Sequence, residues 1–237
     1  MAPDRLCNMA GPAPIEYWHP GLHCCNETWE QAYLRFETPE QEIAKFTGRL
    51  KALGVESWPR QARVLDIFCG RGNGLKALER FGFTDLSGVD LSPRLLEQYQ
   101  GPARLYVGDA RNMRLPDASF DLVIVQGGLH HLEILPDDLD QVCAEVARIL
   151  KPDGRFVVVE PWRTLFLRAV DGLSEIPPLR AVWSKINAHY VMVKEEGAVY
   201  QTWLNNPILV LDVLRRHFQP LHERAAWAKL HFVGRPK

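Results

Sequence analysis

Asp66 stands just ahead of three closely spaced glycines, Gly70, Gly72 and Gly74, and a second acid, Asp90, follows 24 residues after the first (90 − 66). Glycines in such a turn open backbone dihedrals closed to other residues and let a ligand approach the bare main chain. The free N–H groups at the start of the helix that follows carry a partial positive charge and favour an electron-rich ligand group. An acid at the tip of the next strand, about 20 residues past the turn, is placed to bind ribose hydroxyls. Leu91 offers cover for an adenine face, and Ser92-Pro93 supplies a helix N-cap with proline at the first helical position. The chemistry implied is the holding of a nucleotide-like cofactor.

These residues need strands and helices to position them. Arg63 to Phe68 reads as a buried strand, and Leu75 and Leu78 are the first apolar positions of the helix after the turn. Phe83 to Asp90 is a second strand, and Leu105 to Val107 a third, closed by Gly108-Asp109-Ala110. Phe120 to Val125 is apolar almost throughout, as a strand buried on both faces is. Asp137 to Leu150 carries a helical stripe of Leu139, Val142, Val146, Ile149 and Leu150. Lys151 to Gly154 has turn composition, and Arg155 to Glu160 is the fifth strand. This alternation predicts an α/β fold, a Rossmann-like doubly wound, mostly parallel sheet.

The flanks divide the chain further. Residues 1 to about 20 are proline-rich and aperiodic, and Glu27 to Phe36 reads as a short aromatic helix. Thr38, Pro39 and Gln41 form the start signal of a helix whose stripe is Ile43, Phe46, Leu50 and Leu53, ended by Gly54. Residues 1–60 are thus an N-terminal helical lid segment, and 61–161 the cofactor-binding core. Residues 162–206, aromatic and without strand pattern, read as a helical cap inserted over the site. Residues 207–237 hold a last helix and an antiparallel hairpin, Leu221 to Trp227 and Lys229 to Val233.

Of the 237 residues 46% are hydrophobic, enough for one domain with a sizeable core. With 28 basic and 29 acidic residues the net charge is −1, which speaks against nucleic acid as a partner. No apolar run has the length of a membrane span or the form of a signal peptide, so a cytoplasmic protein is expected. The five cysteines lack disulfide or zinc spacing. Cys24 and Cys25, near His19 and His23, read as incidental thiols in the lid segment, and no metal is expected.

The segment Asp66-Ile67-Phe68-Cys69-Gly70-Arg71-Gly72, with Asp90, Gly108-Asp109-Ala110 and the Leu150 to Phe156 run, resembles the class I S-adenosylmethionine-dependent methyltransferases, of the small-molecule type. Phe68 stands where that family has its first glycine. The resemblance implies S-adenosylmethionine as cofactor. Asp66, Cys69, Gly70 and Gly72 would cradle its methionine portion and Asp90 its ribose. Asp109 and Ala110 would meet the adenine edge, and Gln126 and Gly127 would line the pocket beyond. A nicotinamide dinucleotide fits worse, because the third glycine is misplaced for Gly-x-Gly-x-x-Gly.

Methyl transfer is an in-line displacement in which the protein positions the acceptor and removes its proton where needed. By the resemblance, His130 is the candidate base and Glu160 its carboxylate partner. Candidate acceptor contacts are Tyr17, Tyr33, His131, Trp162, His189 and Tyr190, with Trp18 and Trp29 extending an aromatic wall. The expected partner is a small-molecule acceptor, probed first at oxygen, with the chain acting as monomer or homodimer. Two alternatives remain open at this point: an RNA methyltransferase of the wobble-base type, and a cofactor-binding protein that transfers no methyl group.

Overall fold

Along the strand Phe120–Gln126, successive side chains face opposite layers. Val123 and Val125 join one apolar cluster, and Leu122 and Ile124 the other. A strand apolar on both faces must lie in the middle of a sheet covered on both sides. The computed structural model, which describes residues 15–18 and 37–237, has that arrangement.

Its strands are β1 (Ile15–Tyr17), β2 (Val64–Ile67), β3 (Leu86–Asp90), β4 (Arg104–Val107), β5 (Phe120–Gln126), β6 (Leu150–Pro161), β7 (Phe218–Ala226) and β8 (Lys229–Pro236). They form one sheet in the order β1-β4-β3-β2-β5-β6-β8-β7. Pairing is parallel from β1 to β6, while β8 is antiparallel to both β6 and β7. The order reverses at β2, so the carboxyl ends of β2 and its neighbours open onto the crevice where such sheets bind ligands.

Helices α1 (Pro39–Ala52), α2 (Asn73–Arg80) and α3 (Pro93–Leu96) cover one face. On the other lie α4 (Asp137–Ile149) and α8 (Pro207–His217), which bury Leu139, Val142, Val146, Val210 and Val213. Between β6 and α8 come α5 (Leu165–Ser174), α6 (Pro177–Val182) and α7 (Ser184–Asn205). The capping box read at the start of α1 is present, with Gln41 N–H donating to Thr38 Oγ1 and Thr38 N–H to Gln41 Oε1. Ser92 Oγ accepts from Leu95 N–H at 3.2 Å and starts α3.

Three details differ from the sequence expectation. The aperiodic N-terminal stretch contains β1, an edge strand paired in parallel with β4, and buries Trp18 against Tyr106 with ring centroids 4.9 Å apart. The turn expected at Lys151 to Gly154 lies inside β6. There the pairing jumps from Phe120–Leu150 to Leu122–Arg155, so the four residues bulge from the ladder instead of ending it. In the terminal hairpin the strands run longer than expected, and Trp227 and Ala228 make the turn with φ of 50° and 62°. The helix expected over Glu27 to Phe36, with Tyr33, Trp29, Cys24 and Cys25, lies outside the described residues.

Candidate functional site

The strand-to-helix turn after β2 is shaped by its glycines and by one residue that is not glycine. Gly70 has φ 52° and Phe68 φ 55°, both in the left-handed region. A side chain there costs about 1–2 kcal/mol relative to glycine. Phe68 therefore stands in a conformation that explains the family's glycine at that position. Its Cβ is accommodated because Gly128, facing it, has none; a Cβ at 128 would meet Phe68 Cβ at 2.3 Å. Gly74 is required in the same sense, since a Cβ there would lie 2.2 Å from Asp66 Oδ2.

Above the carboxyl ends of β2 to β6 lies a cavity of about 820 Å³. Asp66, Cys69, Gly70, Asp90, Leu91, Asp109, Ala110, Gln126 and Gly127 all line it. The Gly70 N–H donates to Asp90 Oδ2 at 2.7 Å, and the Ser92 N–H to Asp90 Oδ1 at 2.9 Å, so this acid ties the glycine turn to β3. Burial, with Asp90 and Glu42 nearby, pushes the Asp66 carboxyl up to about 8. Asp109 is held by the Arg111 guanidinium, which also reaches Asp138 at 2.8 Å. The Gln126 Oε1 is buried without a hydrogen-bond partner among the described residues. A buried acceptor left unsatisfied costs about 1–3 kcal/mol, so a ligand carrying amino groups fits this position. Gly72 is the exception among the expected cradle residues. With φ 75° it precedes α2 and faces the Tyr99 ring, outside the cavity.

The turn is also clamped from outside, by residues that carry no motif. Arg71 Nε and Asn73 Nδ2 donate to Glu42 Oε2 of α1 at 3.1 and 2.6 Å, and Arg71 Nη2 donates to the Glu37 carbonyl at 2.7 Å.

The opposite end of the cavity is built around a single 3-10 turn, Leu129–His131. Glu160, fully buried at the end of β6, accepts from the Gly128 and Leu129 N–H groups at 2.8 and 2.9 Å through Oε1. Its Oε2 lies 2.7 Å from His130 Nδ1. Burial opposes charge on His130, but the bond with Glu160 and the nearby Glu196 carboxylate outweigh it and lift this imidazole to about 9. His131, tilted against it with ring centroids 4.1 Å apart, is lowered to about 3 by burial and by the His130 charge. His130 and His131 line the cavity, while Glu160 acts from behind His130.

Of the expected acceptor contacts among the described residues, only His131 and His189 reach this cavity. Tyr17 is half exposed at the sheet edge. Trp162 is buried edge-on against Trp203, whose indole N–H donates to the Pro161 carbonyl at 2.9 Å. Tyr190 lies under the Arg180 guanidinium, 3.8 Å from its ring centroid, and lines a separate cleft within the cap. Trp162 and Tyr190 thus each have a packing partner away from the cavity.

Sequence reasoning missed Lys45, Arg49, Lys229, Glu195 and Glu196, all of which line the cavity. Lys229 opens β8 beside Pro161, and burial with Arg49 nearby lowers its ammonium to about 7. Arg49 is lowered by burial and lies over the Phe46 ring. These residues carry no local signal, because α1, α7 and β8 are brought together only by the fold.

Fold and cavity together define a class I nucleotide-cofactor site: a doubly wound sheet, a ligand crevice at its switch point and acids at successive strand tips. Residues 65–158 match the methyltransferase domain model, so the core of the chain carries a methyltransferase domain. A demethylmenaquinone methyltransferase of Deinococcus radiodurans is 34% identical over 131 residues, covering 47% of this chain and 53% of the relative. The chain spans about half the length of the first curated relatives it matches. The crystal structure of the PH0226 protein from Pyrococcus horikoshii superposes with a TM-score of 0.61 at 22% identity, covering 80% of this chain and 89% of that one. A putative S-adenosyl-L-methionine-dependent methyltransferase of Methanococcus maripaludis gives 0.60 at 15% identity, covering 88% and 93%. At these identities the likeness is one of fold.

Proposed function

We propose that the protein transfers a methyl group from S-adenosylmethionine to a small-molecule acceptor at oxygen. The observation that carries this reading is the division of one cavity into two chemically distinct ends. At one end Asp90, Asp109, the bare Gly70 backbone and the unsatisfied Gln126 oxygen suit the ribose, adenine and amino groups of the cofactor. At the other, His130 with Glu160 behind it stands among Arg49, Lys45 and Lys229, cations that stabilise an oxygen nucleophile as it loses its proton.

When bound, the cofactor supplies the electrophilic methyl group and the leaving group. The chain's own residues hold the reactants in line and exclude water. His130, fixed through Nδ1 by Glu160, orients the acceptor oxygen. While it holds its own proton at neutral pH, the base role expected of it passes to Lys229, whose ammonium near 7 is partly neutral there. The groups facing Lys229 are Arg49 and Lys45 from α1, Glu160 from β6 and Glu196 from α7. The cap helices close this end, with residues 1–60 contributing the α1 wall.

The demethylated menaquinone in the relative's name supports a small aromatic acceptor. The buried free thiols of Cys69 and Cys143 suit a reducing, cytoplasmic setting. The test is S-adenosylhomocysteine release with a panel of phenols and hydroquinones, each compared with its O-methylated form. Turnover confined to the free hydroxyl compounds is expected. Binding of S-adenosylmethionine without turnover on any member would leave the chain a cofactor-binding protein and overturn the transfer reading.

A further inference from the structure

The 3-10 turn brings two consecutive imidazoles to the same side, and the cap brings a carboxylate to meet them. One ring nitrogen each from His130 and His131 and one carboxylate oxygen of Glu196 all lie within 4.8 Å of one another. We propose that these three residues bind a divalent transition-metal ion, zinc by preference, leaving a coordination position open to the cavity.

Four features of the cluster carry the assignment. The donor set, two imidazoles and one carboxylate, is the type that takes zinc with a fourth position for water or substrate. The His130 Nε2 and Glu196 Oε1 atoms are 3.7 Å apart. That exceeds a hydrogen bond and approaches the edge of about 3.4 Å that a tetrahedron with metal–nitrogen bonds near 2.1 Å would have. His130 is already oriented as metal-bound histidines are. Its Nδ1 is engaged at 2.7 Å by Glu160, whose other oxygen is fixed by two backbone N–H groups, so Nε2 is the atom presented to the site. The charge also balances, since Glu160 and Glu196 together offset a dication.

Glu196 reaches the turn by a specific backbone device. Gly197, the next residue, has φ 52° and ψ −130° and breaks α7, while the space where its Cβ would stand is open. The glycine is there for its conformation and not for want of room. The third ligand lies 66 residues beyond the first (196 − 130), so no short ligand spacing betrays the site in the sequence. An ion held between the 3-10 turn and α7 would fasten the cap over the cavity, and its open position would polarise an acceptor hydroxyl or thiol.

The experiment uses the full chain stripped with chelator and titrated with Co²⁺, then competed with Zn²⁺, with absorbance and calorimetry as readouts. One Co²⁺ per chain is expected, with visible bands of low coordination number that Zn²⁺ abolishes. Glu196→Gln and His131→Ala are each expected to weaken binding at least ~10-fold, and Glu160→Gln by about 10–100-fold through loss of His130 orientation. Circular dichroism and a titration with S-adenosylhomocysteine show that each variant is folded. Co²⁺ binding that survives both Glu196→Gln and His131→Ala lies elsewhere, for example at Cys24 and Cys25, and overturns the proposal. Absence of binding by the wild type overturns it equally. Retained S-adenosylhomocysteine binding in either case shows that the cofactor reading stands apart from the metal site.

Discussion

At the proposed cofactor end of the cavity, Asp66, Gly70, Asp90, Asp109 and Gln126 come from the tips of neighbouring strands β2 to β5. At the proposed acceptor end, His130, Arg49, Glu196 and Lys229 come from a 3-10 turn, the first helix, the cap and the last strand. The first set needs only the sheet to be aligned, and the sheet is fixed by the apolar cores on both its faces. The second set needs four separate pieces of chain to arrive together. Cofactor recognition is thus written into the architecture, whereas the acceptor end can change with any one of its pieces while the sheet stays as it is.

Substitutions separate the two ends. The largest effect is expected from Glu160→Gln, which leaves the buried His130 imidazolium without its partner. Stability should fall by about 3 kcal/mol in chemical denaturation. Affinity for S-adenosylhomocysteine should stay within about twofold, because the Glu160 carboxylate bonds to Gly128, Leu129 and His130; a comparable loss of that affinity would show that the ends are coupled. Asp90→Ala should do the reverse. It removes the acceptor of the Gly70 and Ser92 N–H groups and the ribose partner, and calorimetry should show affinity reduced by roughly 10–150-fold, the worth of about 1.5–3 kcal/mol for hydrogen bonds to a charged group.

The border between the ends is the Phe68–Gly128 contact. Gly128→Ala should cost about 2 kcal/mol by overpacking against Phe68. The double variant with Phe68→Gly should recover most of that loss, since it removes both the clash and the left-handed phenylalanine. Additive losses would mean that Phe68 does not set the requirement for Gly128.

A further prediction concerns pH. Because burial raises the Asp66 carboxyl from 3.8 to about 8, the folded chain keeps a proton that the unfolded chain gives up. Stability from this group is complete below about pH 4 and is lost as pH rises towards 8. Asp66→Asn should therefore gain stability over the wild type as pH rises from 4 to 8, the difference shrinking to nothing near pH 4. A cationic cofactor favours the ionised carboxylate, so its binding below pH 8 should release a proton, visible as buffer-dependent heat.

The same contrast decides what could be read from the sequence. The Asp66 to Gly74 turn, the Asp90 spacing and the Gly108-Asp109-Ala110 closure are local patterns, and Asp66, Gly70, Asp90, Gly108, Asp109 and Ala110 line the cavity while Gly72 and Gly74 do not. The alternating sheet and its antiparallel hairpin follow from strand-length apolar runs between helices. Legibility fails where a contact joins distant segments. Nothing near Arg71 announces Glu42, and nothing near His130 announces Glu196 or Lys229. Tyr17, Trp162 and Tyr190 were suggested by aromatic character alone, which does not distinguish a ligand wall from packing. Phe68 was visible as a departure, but its meaning required the positive φ and the vacant Cβ position of Gly128.

The central claim is that the glycine turn and the strand-tip acids form an S-adenosylmethionine site. Calorimetric titration of the wild-type chain with S-adenosylhomocysteine tests it most directly. The account predicts saturable binding at one site per chain, weakened at least ~10-fold by Asp90→Ala. No binding by the folded wild type, or an affinity untouched by Asp90→Ala, would contradict it.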